Sequence, residues 1–179
     1  MRIIAGRWRG RRIGVPDGGA VRPTGDRVRE SWMSIVHHLL PDARVLDLCA
    51  GSGALGLEAL SRGAATCDFV ERAPRSVAAI DANLALLGGH AGASIRRADA
   101  VQFVRELSAG SYDVAFADPP YEAETGGLLV SQWLAVPFAH VFAIEHASRV
   151  SFPAPGERRQ YGANALTFYR VHEHDAHIV

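Results

Sequence analysis

The tetrapeptide Asp118-Pro119-Pro120-Tyr121 is the stretch of this chain best suited to chemistry. Two consecutive prolines fix the backbone and remove two N–H donors, so the turn offers acceptors only, chiefly the Asp118 carboxylate and the Pro119 carbonyl. Acceptors alone match the exocyclic amino group of a nucleic-acid base. The lone pair of such an amine is delocalised into the ring, which makes it a poor nucleophile. Hydrogen bonds from its two protons to Asp118 and Pro119 favour a pyramidal nitrogen, and the carboxylate offsets the positive charge that develops there. Tyr121 can stack on a base turned out of its helix and hold it in line. No covalent nucleophile is needed, and neither Cys49 nor Cys67 lies in the motif. Asp118, Pro119 and Tyr121 are therefore the candidate catalytic residues; the plainer alternative is a rigid loop with a buried tyrosine.

A second constellation precedes it. Gly51-Ser52-Gly53-Ala54-Leu55-Gly56 has the G-x-G-x-x-G form of a strand-to-helix turn that brings backbone close to a ligand and packs helix tightly on strand. Dinucleotide dehydrogenases and S-adenosylmethionine methyltransferases both use this turn. Asp47, in Asp47-Leu48-Cys49-Ala50-Gly51-Ser52-Gly53, favours the second: a carboxylate suits an ammonium and a sulfonium, and repels a pyrophosphate. Glu71 stands where an acid accepts from ribose hydroxyls. Asp99, with Ala100 after it, stands where an acid meets an adenine amino group. Candidate cofactor residues are Asp47, Ala50, Gly51, Gly53, Glu71, Asp99, Ala100 and Asp118, with S-adenosylmethionine as the cofactor. Plainer alternatives exist here too: Glu71 as a solvated charge at a strand end, and Asp99 as an ordinary helix N-cap.

Elements must hold these residues together. Short apolar runs are expected as strands at 45–48, 66–71, 93–97, 112–117 and 141–145. Helical patterns are expected at 54–61, 74–87 and 99–107, and from the tetrapeptide to about 134. An earlier helix is expected from Thr24, as its cap, to about Leu40. Runs at 157–161 and 165–171 are separated only by Gly162-Ala163-Asn164, which requires an antiparallel hairpin. The fold class is therefore α/β, a mostly parallel sheet with an antiparallel C-terminal element. At the N-terminus, alternating segments around Gly6 and Gly10 suggest a small β-hairpin, with a loop over residues 16–19. Trp32 is expected in the core, and the last residues, with His172, His174 and His177, as a frayed end.

Composition narrows the classes. The chain has 179 residues, 48% of them hydrophobic and 21% charged, which suits one ordinary globular domain. No apolar run is long enough to span a membrane, no signal-peptide pattern is present, and the two cysteines lack metal-ligand spacing. No metal is expected, and a cytoplasmic location is. The zero net charge is a sum of unlike parts. Residues 1–30 hold eight arginines against three acids, a net of +5, and the other 149 hold eleven against sixteen, a net of −5. Such a head can grip phosphates, and removing residues 1–20 is then expected to weaken RNA binding and spare cofactor binding.

Taken together, the chain resembles the bacterial 16S ribosomal RNA guanine-N2-methyltransferase family, whose named target is guanine 966 in the usual ribosomal numbering. The blocks that carry the resemblance are Arg2 to Arg11, Arg22-Pro23-Thr24-Gly25-Asp26-Arg27-Val28-Arg29-Glu30, Leu46 to Ala64, and Asp118-Pro119-Pro120-Tyr121. Cys49 departs from it, standing where the family more often has phenylalanine. The resemblance implies a Rossmann-like class I methyltransferase fold with seven strands, preceded by an RNA-holding hairpin at residues 1–20, with residues 21–179 as the methyltransferase domain. It implies 16S rRNA in the small subunit or its assembly intermediate as partner, and a monomer. Arg7, Arg9, Arg11, Arg22, Arg27 and Arg29 are the candidate RNA contacts, and Trp8 a candidate stacking residue. A DNA adenine-N6-methyltransferase shares the turn and the tetrapeptide, but no insertion for reading a DNA target exists here. A nicotinamide oxidoreductase would leave the tetrapeptide unexplained.

Overall fold

The structure is a computed structural model that describes residues 1–16, 26–120 and 124–171, with backbone only at 26 and 27. Thr24 and the terminal histidines lie outside the described residues. Helix α1 (Asp26–Val36) leads through a 3₁₀ turn (His37–Leu39) into β1 (Arg44–Leu48), α2 (Ala54–Ser61), β2 (Thr66–Val70) and α3 (Pro74–Leu86). Then come β3 (Ala93–Arg96), α4 (Ala100–Arg105), β4 (Tyr112–Ala117), α5 (Thr125–Ala135), β5 (Ala139–Ala147), β6 (Glu157–Tyr161) and β7 (Asn164–Arg170). Among the described residues no helix is long and apolar enough to cross a membrane.

The seven strands form one sheet in the order β3-β2-β1-β4-β5-β7-β6. The first five pair in parallel, while β7 is antiparallel to both β5 and β6. The expected C-terminal hairpin is therefore present, with its second strand inserted between β5 and β6. The chain moves outward from β1 to β3, then returns to the other side of β1 as β4. That reversal puts a crevice at the carboxyl ends of β1 and β4, the place where open α/β sheets bind ligands.

Strand periodicity sorts the core onto two faces. Val45, Phe69, Val114, Phe116, Val141 and Ala143 face α1, α2 and α3, and Trp32 stacks on Phe116 with centroids 5.6 Å apart. Leu46, Leu48, Ala115, Ala117, Phe142 and Ile144 meet Val101 and Val104 of α4 and Leu129, Val130 and Trp133 of α5. β5 runs two residues beyond the expected span at each end, because β4 pairs with it from Ala139 and β7 pairs with it out to Ala147.

The N-terminal hairpin is built differently from a regular ribbon. It has one antiparallel bridge, Arg2 to Arg12, with Ile3 N donating to Arg11 O at 2.9 Å and Gly10 N to Ile3 O at 2.9 Å. Four further backbone donors, those of Ile4, Ala5, Arg7 and Trp8, turn to α2. Glu58, fully buried, accepts from Ile4 N at 2.8 Å and Ala5 N at 3.0 Å, while Ser61 Oγ accepts from Trp8 N and donates to Ala5 O. Gly6, at φ +82°, lies so close to Ser61 O that a Cβ there would overlap it. Every residue of α2 is buried, because the hairpin covers the side that the sheet does not. Trp8 is buried with Ile3 and Ile13 in that contact, so the expectation that it stacks on RNA does not hold.

Candidate functional site

The crevice at the ends of β1 and β4 gathers the acids named above. Asp118 follows β4 directly, its N–H reaching Leu48 O at 3.4 Å and tying the two strand ends together. Glu71 follows β2, Asp99 follows β3, and Asp47 is the fourth residue of β1. Their convergence shows at Cys49. Burial first, and then the nearby carboxylates of Glu71, Asp118, Asp47 and Asp99, together push its thiol up to about 12. The thiol is thus held neutral near these acids, which removes it as a nucleophile.

Glu71, Asp99 and Asp47 are each held by backbone donors. Glu71 Oε2 accepts from Gly51 N at 2.9 Å and its Oε1 from Ala73 N at 2.8 Å. Each oxygen keeps a second acceptor site. Asp99 caps α4, with Oδ1 accepting from Val101 N and Gln102 N at 3.0 Å, so the capping role is real and occupies one oxygen. Ala100, beside it, is buried at the start of α4.

Asp47 departs from the expectation. It is 1% exposed, and its Oδ2 accepts from Gly56 N at 2.9 Å. Burial drives its carboxyl well above the usual carboxylate range, and the Gly56 N–H pulls in the opposite direction. Asp47 therefore positions the turn; it is not an open charge facing the crevice. Gly56 can come this close because it has no side chain: a Cβ would sit 2.3 Å from Phe69 Cε1 and 2.6 Å from Cys67 Sγ. Between Asp47 and Gly56 the turn is closed by Gly53 N on Ala50 O at 2.7 Å.

Pro119 is buried and Pro120 exposed, while Tyr121 lies outside the described residues. Of the expected RNA contacts, Arg7, Arg9 and Arg11 are exposed on the hairpin, Arg22 and the Arg27 side chain lie outside the described residues, and Arg29 is only 1% exposed. Arg29 Nη2 donates to Arg2 O at 2.7 Å. That burial corrects the reading of Arg29: it fastens α1 to the hairpin.

Sequence reasoning missed Asn83. It donates from Nδ2 to Gly14 O and Ser52 O, both at 3.0 Å, and accepts from Gly14 N at 2.7 Å, joining the end of the hairpin to the glycine-rich turn. It also missed Glu58, whose one signal was a charge within an otherwise apolar helix.

Comparison with known proteins agrees with this arrangement. The chain is 41% identical over 140 residues to the Escherichia coli K12 protein named ribosomal RNA small subunit methyltransferase D, covering 75% of this chain and 70% of that one. It is 31% identical over 181 residues to Bacillus subtilis YlbH, covering 95% and 98%. The solved structure of Escherichia coli yhhF superposes with a TM-score of 0.81 at 31% identity, over 94% of this chain and 96% of that one. A Thermus thermophilus 16S rRNA N2 G1207 methyltransferase, solved with AdoMet and guanosine, shares the fold at a TM-score of 0.70 and 20% identity, over 88% of this chain and 45% of that one. Residues 1–170 match the family described as conserved hypothetical protein 95, and with the hairpin, the glycine-rich turn and the Asp-Pro-Pro edge all in place, this chain belongs to that family and to the ribosomal RNA small subunit methyltransferase D group.

Proposed function

We propose that this chain transfers the methyl group of S-adenosylmethionine to the exocyclic N2 of a guanine in 16S rRNA, guanine 966 in the usual ribosomal numbering. The observation that carries this reading is the placing of three acids at the sheet's reversal point: Glu71 against the glycine-rich turn through Gly51 N, Asp99 at the cap of α4, and Asp118 where its N–H ties the ends of β4 and β1 together. That donor set fits the cofactor, which presents a ribose diol, an adenine amine, an ammonium and a sulfonium. Glu71 takes the diol through its remaining acceptor sites, Asp99 the amine through Oδ2, and the turn at Ala50, Gly51 and Gly53 the methionine end, with Ala100 beside the adenine. Bound there, S-adenosylmethionine supplies an electrophilic methyl carbon whose bond to sulfur breaks, its pair going to sulfur, as the bond to nitrogen forms.

The chain's own residues do the rest. Asp118 and the Pro119 carbonyl accept from the two N2 protons and direct the nitrogen lone pair. Asp118 stabilises the charge that builds on nitrogen and is the near acceptor for the proton that must leave. Tyr121 stacks on the extruded base. Arg7, Arg9 and Arg11, with Arg22 and Arg27, hold the RNA backbone, in the small subunit or its assembly intermediate. The chain works as a cytoplasmic monomer. Tritiated methyl transfer to immature small subunits and to duplex DNA, followed by nucleoside mapping, tests this reading. The expected product is N2-methylguanine in 16S rRNA, and label in DNA adenine would sink it.

A further inference from the structure

Three side chains among the described residues pin the glycine-rich turn, and the third has no part in the proposed methylation. Glu71 takes Gly51 N and Asp47 takes Gly56 N, each at 2.9 Å. The third is Asn83 of α3, 3% exposed, whose Nδ2 donates to Ser52 O at 3.0 Å. Had α2 begun one residue earlier, Ser52 O would accept from Gly56 N, four residues on. Gly56 N is turned to Asp47 on β1 instead, which leaves the Ser52 carbonyl to Asn83. α3 comes this near because Gly53 has no side chain: a Cβ there would lie 3.2 Å from Ile80 Cγ1, and Ile80 shares a helix face with Asn83.

The same amide holds the hairpin. Asn83 Oδ1 accepts from Gly14 N at 2.7 Å, and Nδ2 donates to Gly14 O at 3.0 Å as well as to the turn. A flipped amide would set its N–H₂ against the Gly14 N–H, so the pattern fixes which end is oxygen. Arg11, a candidate RNA contact, makes a second tie to α3, its Nη2 donating to Leu86 O at 2.6 Å. We infer that Asn83 is a positioning residue that couples the two substrates, so that cofactor on the turn and RNA on the hairpin each tighten the other's binding. This rests on the proposed RNA methylation, with the hairpin as RNA holder. Each ligand orders the segment that it touches, Asn83 passes that order on, and the second ligand has less to immobilise. By linkage the effect is equal in both directions.

The test is the affinity of labelled adenosylhomocysteine, measured by equilibrium dialysis with and without saturating immature small subunits. In the wild type the small subunits should tighten it at least ~5-fold, the low end of ordinary coupling. Asn83→Asp keeps the acceptor for Gly14 N but sets a carboxylate against two carbonyls, and Asn83→Ala removes all three bonds. In both, the tightening should fall below about twofold. An Asn83 with a structural role alone would lower melting or both affinities and leave their ratio as in the wild type. Where neither variant folds, amide exchange in the wild type decides: adenosylhomocysteine should slow the Gly14 amide at least ~3-fold more than amides of the β6–β7 hairpin. No tightening in the wild type, the wild-type ratio in a folded variant, or equal slowing would overturn the inference and leave the methylation reading intact. A wild-type chain that binds adenosylhomocysteine but methylates no RNA would instead remove that reading, and this inference with it.

Discussion

Asp118 and Asp47 stand on neighbouring strands, and their surroundings give them separate work. Asp118, half-buried at the end of β4, is placed to meet substrate, whereas Asp47 is 1% exposed and spends its oxygen on Gly56 N. Substituting Asp118 by Ala should therefore lower methyl transfer by ~10²–10³-fold, as expected for loss of one preorganised charge partner. Adenosylhomocysteine affinity, read by calorimetry, should stay within a few-fold, and a large loss of binding would show that Asp118 serves the cofactor instead. Asp47→Asn keeps an acceptor for Gly56 and removes the charge that burial disfavours, so its melting temperature should match or exceed the wild type. Asp47→Ala leaves the Gly56 N–H buried without a partner and should cost ~1–3 kcal/mol. His146 gives a pH signature: burial is the main cause that lowers its pKa, the Ala147 contact opposing it. The folded state thus favours the neutral ring, so this stability is present above the ordinary histidine value of about 6.5 and is lost as pH falls through the lower folded value. Melting measured from pH 7.5 to 5 should show that loss, and His146→Gln should flatten part of it. The identities of these acids were legible in the sequence because motif spacing marks them. The partner of Asp47 was not, since it depends on how far the turn folds back over nine residues.

At the scale of elements, the sheet was the legible part, because apolar runs and glycine-rich turns mark parallel strands and their helices directly. α2, β4 and β6 begin and end where the pattern places them. What periodicity does not carry is how the N-terminal segment is attached. Its alternation around Gly6 and Gly10 suggests a small hairpin and says nothing of its attachment, and the structure shows a segment whose backbone is completed by Glu58, Ser61 and Asn83. Ile3, Trp8 and Ile13 are also part of the core. The expectation that residues 1–20 can be removed with cofactor binding intact is therefore revised. Deleting the hairpin uncovers α2 and leaves Glu58 without two of its donors, so the truncated chain should melt well below the full one or aggregate. Glu58→Ala tests the attachment in the full chain. It leaves the Ile4 and Ala5 N–H groups and the Arg62 guanidinium without their carboxylate, and each buried orphan costs ~1–3 kcal/mol. A drop in melting temperature is expected, with amide exchange at residues 4 and 5 rising more than in the β1–β4 core. Unchanged exchange at those amides would mean that the hairpin is held by its apolar contacts alone.

Across the whole molecule, zero net charge is better described as sorted by position than as divided between a basic head and an acidic body. Four acids of the body, Asp47, Glu71, Asp99 and Asp118, come together at the crevice. Arg72, Arg75, Arg96 and Arg97, which belong to that same body, are exposed at the ends of β2 and β3 and in the first turn of α3. Arg2, Arg7, Arg9, Arg11 and Arg12 are exposed on the hairpin. A cationic cofactor and an anionic RNA can then be held by one small chain, each meeting the opposite charge. Arginine count alone would have placed Arg29 with the RNA contacts; its burial against Arg2 O assigns it to packing. The two roles separate in one measurement, the dependence of RNA affinity on salt. Each arginine that neutralises a phosphate contributes ~0.7–0.9 to the slope of log K against log salt concentration. Arg9→Gln and Arg12→Gln together should therefore shallow the slope by about 1.4–1.8 if each meets a phosphate, with melting unchanged because both side chains are exposed. Arg72→Gln and Arg97→Gln report in the same way whether the RNA track reaches the edge of the cofactor crevice. Arg29→Gln should behave in the opposite sense, lowering the melting temperature and leaving the slope as it was. A shallower slope at unchanged melting would return Arg29 to the RNA surface, and an unchanged slope for the pair would remove Arg9 and Arg12 from it.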